Sequence, residues 1–184
     1  MTQVVWHVMM SLDGFITGPD HSMEWAFGYP GPNRLADEVM ENTGAILAGR
    51  RWYDVASERY SGRQGIYGGA WEGPVFVLTH RPPDAPADPG ITFLSGGLEE
   101  AVATAGQAAG AKHLEIFGAD VAAQCLDAGL IDEIVVHVAP VLLGDGVRLY
   151  GLAGDRRQVE LERTDLAESG EGRLVSMRFR VNRS

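Results

Sequence analysis

Cysteine and lysine are nearly absent from this chain of 184 residues, which has one of each, Cys125 and Lys112. A single cysteine excludes an intrachain disulfide framework and any metal site built from several cysteines. A reducing, cytoplasmic setting fits that composition. The lone lysine leaves one candidate for Schiff-base chemistry, at a junction between a loop and a strand, and we set that chemistry aside.

Basic residues of any kind are scarce, since 15 of them face 25 acidic residues and the formal net charge is -10. Nucleic acid is therefore not expected as a partner, because a phosphate backbone must be neutralised by clustered Lys and Arg. An anionic small ligand would need a local patch of positive charge for the same reason.

Long apolar runs and familiar catalytic motifs are also missing. The longest apolar run, residues 134–143, is interrupted by His137 and Pro140, so we expect neither a membrane span nor a signal peptide. The P-loop, Gly-x-Gly-x-x-Gly, His-Glu-x-x-His and Gly-x-Ser-x-Gly patterns do not occur. No histidine and carboxylate cluster has the spacing of metal ligands, so no metal is expected.

What is present alternates between strands and helices. Five nearly continuous apolar stretches predict buried strands, and apolar residues three or four apart predict helices between them. The strands fall at residues 4–10, 45–48, 75–78, 114–117 and 134–138. We therefore predict one α/β domain over residues 1–184, with helices on the faces of a mostly parallel sheet.

The C-terminal stretch has a different periodicity. Apolar and polar residues alternate over 175–181 and again over 159–162, which is typical of half-exposed antiparallel strands. With a turn at residues 169–172, this pattern predicts a hairpin that completes the sheet. The glycine-rich piece 61–73 and the proline-rich piece 81–90 are interpreted as surface loops.

Three segments follow the carboxyl ends of predicted strands, the edge at which open α/β sheets bind ligands. The first two contain Gly49, Arg50 and Arg51, and Thr79, His80 and Arg81. A helix start with guanidinium groups suits a phosphate. The alternative is that the arginines only extend along a helix start and that the second segment is ordinary loop polarity.

The third segment contains Gly118, Ala119, Asp120 and Val121. Its glycine permits close backbone approach at a helix start, which suits a pyrophosphate. Asp120 offers a competing interpretation, because a carboxylate at an N-cap satisfies the free amides itself and repels phosphate.

Four single residues invite both a functional and a structural interpretation. Asp13 lies in a glycine-containing loop after the first strand and is a candidate to position or protonate a substrate, although Asp-Gly is also a common turn pair. His7 and His137 lie within apolar strands, where satisfied core histidines are more common than metal ligands. Cys125, on an apolar helix face, is expected to be a buried and inert thiol.

Taken in order, these segments resemble the RibD C-terminal domain family, which shares the dihydrofolate reductase-like fold. The resemblance spans nearly the whole chain and rests on Ser11–Gly14, Gly49–Arg51, Leu78–Pro83, Gly118–Asp120, Cys125–Glu133 and Pro140–Gly146. It implies a mixed, mostly parallel sheet and a homodimeric, NADPH-dependent reductase. The activity it implies is reduction of 5-amino-6-(5-phosphoribosylamino)uracil in riboflavin biosynthesis.

The same resemblance implies a role for each segment. Gly49, Arg50 and Arg51 match the part near the adenosine phosphates, and Thr79, His80 and Arg81 match the loop on the 2'-phosphate side. The residues Gly118, Ala119, Asp120 and Val121 match the turn beneath the pyrophosphate and the nicotinamide. The loop from Asp13 to Thr17 matches the flexible segment over the nicotinamide.

The sequence also departs from the family pattern. The family often has two glycines where this chain has Gly118 and Ala119, and Leu35 stands where folate-reducing members carry the carboxylate that grips the pterin. Folate reduction is therefore not expected. With one cysteine, the chain lacks the Pro-Cys-x-x-Cys ligands of the deaminase that usually accompanies this reductase. Two alternatives stay open, a noncatalytic nucleotide-binding or ligand-sensing module and a structural domain that dimerises through the C-terminal hairpin.

Overall fold

The computed structural model describes residues 2–29, 31–83, 88–151, 158–169 and 171–182. Its main sheet contains β1 Val4–Ser11, β3 Thr43–Gly49, β4 Val75–Leu78, β5 Ile91–Leu94, β6 His113–Phe117, β7 Glu133–Ala139, β9 Leu161–Ser169 and β10 Leu174–Val181. The strand order is β5-β4-β3-β6-β1-β7-β10-β9. A separate ladder pairs β2 Phe15–Thr17 with β8 Val147–Arg148.

The six strands from β5 to β7 run parallel, whereas β10 and β9 are antiparallel to their neighbours. This arrangement confirms the predicted α/β class with a C-terminal antiparallel hairpin. The hairpin begins at Leu161 and not at Val159. Gly170 of its predicted turn and residues 84–87 of the proline-rich piece lie outside the described residues.

Helices cover both faces of the main sheet. They are α1 Arg34–Asn42, α2 Arg50–Arg59, α3 Leu98–Ala109 and α4 Ala119–Asp127, with 3-10 segments at Glu24–Gly28 and Gly62–Gly69. Helices α3 and α4 pack on one face, in a buried cluster that includes Trp6 and Leu47. On the other face Leu35 and Val39 of α1 pack against Val5. We name these the α3/α4 face and the α1/α2 face.

The interpretation of residues 61–73 as a surface loop is wrong. This piece contains the 3-10 segment Gly62–Gly69, and Ile66 and Trp71 are buried against Ile46 on the α1/α2 face. A glycine-rich composition is typical of a solvated turn. In the structure the glycines of this piece let the chain fold back onto the sheet, because Gly68 adopts a φ of 64° that other residues rarely take.

Strands β1 and β6 separate before their carboxyl ends. Their pairing ends at Trp6 and Ile116, whereas β1 continues beside β7 through Ser11 and β6 continues beside β3 through Phe117. The chain also changes direction across the sheet at this point, because β1 leads to β3 on one side and β6 leads to β7 on the other. Such a switch point opens a crevice at the strand ends.

Candidate functional site

Two of the predicted segments meet where β3 and β6 end. Helix α2 begins directly after Gly49, and α4 begins directly after Gly118. A Cβ atom placed on Gly49 would lie 3.1 Å from Val121 Cγ2 of α4. The end of β3 therefore packs against the first turn of α4, and the glycine leaves the room for that approach.

A cationic cleft forms at the ends of β3 and β4, as the sequence argument required. Its volume is about 580 Å³, and it is lined by Arg50, Asp54, Thr79, His80, Arg81, Pro82 and Pro83. Arg50 donates from Nε to Asp54 Oδ1 at 2.7 Å and from Nη1 to the Arg81 carbonyl oxygen. The Arg81 amide donates to Thr79 Oγ1 at 3.1 Å. These bonds fix the two segments against each other while the Arg81 and His80 side chains remain exposed.

Arg51 points away from this cleft. Its Nη1 lies 3.4 Å from Asp120 Oδ2, and both side chains are exposed. Such a pair contributes about 0–1 kcal/mol to stability. Its clearer effect is local charge balance, because Asp120 neutralises Arg51 and leaves the cleft to Arg50 and Arg81.

The first turn of α4 has no side-chain cap. Gly118 is its N-cap residue, with a φ of 89°, and Asp120 sits inside the first turn facing Arg51. The idea that Asp120 caps this helix is therefore wrong. Helix α2 likewise has a glycine, Gly49, at its N-cap and no side-chain cap. Two helix starts without a side-chain cap thus lie together, an arrangement that attracts anions.

Asp13 holds two loops together. Its carboxylate accepts hydrogen bonds from Ser11 Oγ at 2.7 Å, the Leu143 amide at 3.1 Å and the Gly144 amide at 2.7 Å. The bond from Ser11 is the largest cause that lowers the pKa of Asp13 from 3.8 to about 2. The group is ionised at neutral pH and has no proton to donate. Its catalytic role stays a prediction, and these contacts favour the structural interpretation.

The structure also contains a buried polar network that the sequence did not reveal. His7 Nε2 lies 2.6 Å from His137 Nε2, although the two residues are 130 positions apart. His7 Nδ1 lies 3.1 Å from Glu115 Oε1, and Glu115 is fully buried. Tyr67 and Thr43 donate to the two oxygens of that carboxylate at 2.7 and 2.9 Å. The carboxylate is thereby satisfied by side chains from three different elements.

The direction of the hydrogen bond between His137 and His7 follows from Asn33, the N-cap residue of α1. Asn33 Oδ1 accepts from the Ala36 amide at 3.2 Å, so its Nδ2 faces His137 Nδ1 at 3.1 Å. Neutral His137 then carries its proton on Nε2 and donates to His7, which carries its own proton on Nδ1 toward Glu115. Burial, and then the neighbouring His7, lower the pKa of His137 from 6.5 to about 3. Burial beside Glu115 also raises the pKa of Tyr67 well above its usual value.

Cys125 and Leu35 are both buried in the core. Cys125 is fully buried, and burial raises the pKa of its thiol from 9.0 to about 12. Leu35 is packed in the core, so that position offers no carboxylate to a ligand.

Within the described ranges, no group of three or more His, Cys, Asp or Glu residues is arranged to hold a metal ion. None of the helices among those residues is long and apolar enough to cross a membrane.

A family model fits this chain over residues 2–175, and it is that of the RibD C-terminal domain. The chain belongs to the RibD C-terminal domain family. A curated relative, the uncharacterized protein YwjB of Bacillus subtilis (strain 168), is 25% identical over an alignment of 171 residues, and the match covers 88% of this chain and 90% of YwjB. The suspected family is therefore confirmed.

Solved structures agree on the fold of this RibD C-terminal domain. A protein from Shewanella sp. PV-4, described as a candidate riboflavin biosynthesis protein, has a TM-score of 0.80 and 24% identity, covering 99% of this chain and 100% of its own. A deaminase/5-amino-6-(5-phosphoribosylamino)uracil reductase from Thermotoga maritima has a TM-score of 0.67 and 16% identity, covering 98% of this chain. This chain spans 57% of that bifunctional protein.

A dihydrofolate reductase also shares the fold. The enzyme from Enterococcus faecalis, complexed with NADP(H), has a TM-score of 0.62 and 14% identity, covering 98% of this chain and 97% of its own. The dihydrofolate reductase-like fold is therefore confirmed.

Proposed function

We propose that this protein is an NADPH-dependent reductase that transfers hydride to an electrophilic carbon of a small polar substrate. One observation carries the proposal. The Arg50–Arg81 cleft at the ends of β3 and β4 and the two helix starts after Gly49 and Gly118 lie along one edge of the sheet, the edge at which the switch point between β6 and β1 opens. Membership of the RibD C-terminal domain family and the NADP(H) complex of a structural neighbour support it.

The residues at this edge suit a dinucleotide with an additional phosphate. Thr79, His80 and Arg81, with Arg50, would hold the 2'-phosphate side of NADPH in the cationic cleft. The uncapped amides after Gly118 would face the pyrophosphate. When bound, NADPH supplies the hydride, and the protein supplies orientation, exclusion of water and electrostatics.

The two exposed arginines should contribute unequally. Arg50 already donates from two of its nitrogens to protein acceptors, whereas the Arg81 side chain extends exposed from the cleft. Loss of a hydrogen bond to a charged group costs about 1.5–3 kcal/mol, or roughly tenfold to 150-fold in affinity. We expect Arg81→Ala to weaken NADPH binding by that factor and to leave NADH binding nearly unchanged, because NADH lacks the 2'-phosphate.

Arg51→Ala is the matched control, because Arg51 pairs with Asp120 outside the cleft. Wild type and both variants are titrated with NADPH and NADH, and binding is read by intrinsic tryptophan fluorescence. An equal effect of the two substitutions would contradict the assignment of the cleft. If wild type bound neither nucleotide, the reductase proposal itself would fail.

Turnover separates an enzyme from a binding module. The substrate named for the Thermotoga maritima neighbour, 5-amino-6-(5-phosphoribosylamino)uracil, is the first compound to test, and NADPH oxidation is followed by absorbance. Turnover would place this protein's activity with that reductase. Tight NADPH binding without turnover would favour a changed substrate or a noncatalytic nucleotide-binding module.

We also propose that the protein is a homodimer that associates through its C-terminal hairpin. Leu161, Leu166 and Val175 are exposed on β9 and β10, and exposed apolar side chains grouped on one element are a common mark of an interface. Sedimentation of wild type and Leu166→Glu tests this. A monomeric wild type at micromolar concentration would contradict the proposal.

A further inference from the structure

The segment Gly62–Gly69 contains several residues with left-handed backbone conformations. Tyr67 has a φ of 51°, Gly68 one of 64° and Gly69 one of 87°, and Ser61 just before them has one of 61°. Glycine takes these values at no steric cost, whereas a residue with a large side chain takes them only where its surroundings hold it. The contacts of the Tyr67 side chain are therefore the place to look for what holds this segment.

The Tyr67 hydroxyl inserts between two buried groups. It donates to Glu115 Oε1 at 2.7 Å, and its oxygen lies 2.6 Å from His7 Nδ1. The phenol ring stacks on the His7 imidazole, with centroids 5.8 Å apart and an angle of 17° between the rings. A buried carboxylate is tolerated only when hydrogen bonds satisfy it, so Glu115 and Tyr67 stabilise each other's position.

His7 and Glu115, the groups that Tyr67 contacts, are also held by the strands of the main sheet. His7, Thr43 and Glu115 belong to three strands of the main sheet, β1, β3 and β6. His7 is further fixed by His137, which the α1 cap residue Asn33 contacts in turn. Among the described side chains that hydrogen-bond to the Glu115 carboxylate, Tyr67 alone comes from a segment outside the sheet. We call His7 and Glu115 the socket, and Tyr67 is the residue that enters it from outside the sheet.

The socket also adjoins the switch point of the sheet. His7 is the first residue of β1 beyond its last pairing with β6, and it lies on the α1/α2 face with Glu115. Through Tyr67, the segment Gly62–Gly69 therefore reaches the sheet beside the switch point on that face. A movement of this segment would change the space next to the switch point.

We propose that Tyr67 is a latch that holds segment Gly62–Gly69 closed against the sheet, with Glu115 and His7 as its socket. When the hydroxyl leaves the socket, the segment opens as a unit and widens the crevice. The strained backbone of Tyr67 favours opening, whereas the hydrogen bonds of its hydroxyl and the burial of Ile66 against Ile46 favour closure. This inference concerns the motion of the fold and does not depend on the identity of the cofactor or the substrate.

The test is hydrogen–deuterium exchange of the whole protein, read by mass spectrometry on peptides that cover residues 61–71 and helix α3. Tyr67→Phe keeps the ring and removes only the hydroxyl. We expect exchange in 61–71 to accelerate about tenfold or more, which is the loss of one hydrogen bond to a charged group. Exchange in α3 should stay as in wild type. Glu115→Gln, which weakens the socket, should accelerate the same peptides.

Tyr53→Phe is the matched control, because Tyr53 lies on the neighbouring helix α2 and packs on Phe93 outside the network. It should leave exchange in 61–71 within about twofold of wild type. The proposal is overturned if Tyr67→Phe leaves these peptides unchanged, or if it accelerates α3 equally and so destabilises the whole fold. Comparison of the Tyr67→Phe and Tyr53→Phe variants tests the proposal even if Glu115→Gln does not fold.

Discussion

Gly49 and Val121 should be strongly coupled in stability. Gly49 has a φ of -88° and a ψ of 163°, an extended conformation that alanine adopts freely, so backbone strain does not oppose Gly49→Ala. Space does, because the added Cβ would lie 3.1 Å from Val121 Cγ2, where ordinary contact begins at 3.4 Å. Val121 is buried in the cluster on the α3/α4 face and has little room to move aside.

The size of the effect follows from that short contact. Overpacking a well-packed core costs about 1–3 kcal/mol, and a shortfall of a few tenths of an ångström belongs near the lower end, at about 1 kcal/mol. Where no clash exists, Gly→Ala in a compatible conformation stabilises by about 0.4–1 kcal/mol. Gly49→Ala should therefore destabilise the wild type and stabilise a Val121→Ala background, with a coupling energy of about 1–2 kcal/mol.

Urea unfolding of the wild type, both single variants and the double variant, followed by circular dichroism, gives this cycle directly. If the end of β3 packs tightly against α4, Gly49→Ala must lower the free energy of unfolding of the wild type and raise that of the Val121→Ala variant. If Gly49→Ala has the same cost in both, the two segments do not touch as described, and the argument that brings the helix starts together loses its basis.

Three further predictions concern single positions. Gly118→Ala should destabilise the fold by about 1–3 kcal/mol in urea unfolding, because φ is 89° there while the added Cβ meets only Trp52 at 3.9 Å; unchanged stability would contradict a backbone cause. Cys125, with a buried thiol and a pKa of about 12, should react with a thiol reagent only after unfolding, and reaction in native buffer would contradict its placement. Asp13→Asn should lower the free energy of unfolding at neutral pH. Because the folded-state pKa of Asp13 is lowered from 3.8 to about 2, the difference in stability between wild type and variant should narrow as the pH falls from about 4 to about 2. A difference that does not change with pH over that range would show that the charge of Asp13 plays no part.

The strands that fill the core could be predicted because burial on both faces leaves a continuous apolar run. Strand β5 could not, since Ile91–Leu94 has four residues at the edge of the sheet, directly after a proline-rich piece. The burial of segment Gly62–Gly69 cannot be predicted from the sequence for a related reason. Its burial depends on positive φ angles at glycines, and composition alone does not distinguish a glycine in a solvated turn from one that folds the chain onto a sheet.

The position of the predicted site follows from the topology of the sheet, whereas the directions of its charged side chains do not. In a parallel sheet the residues after β3, β4 and β6 must share one edge, so the three segments could be placed together from strand order alone. Arg50 and Arg51, however, are adjacent on a helix and point about 100° apart. That angle sends Arg50 into the cleft and Arg51 toward Asp120, so helical geometry alone separates the surroundings of the two arginines.

The buried histidine pair shows where inference from the sequence ends. Each histidine could be predicted to lie in a core strand with a hydrogen-bond partner, yet their contact depends on the register of β1 against β7, which pairs His7 with Val135 and Met9 with His137. Side chains alternate between faces, so a slip of one residue would move one imidazole to the α3/α4 face. The register in turn is set by which apolar residues face α1, since Val5 and Val135 pack against Leu35 and Val39. The polar network that fixes Tyr67 is thus positioned by apolar packing two residues away along each strand, on the same face of the sheet.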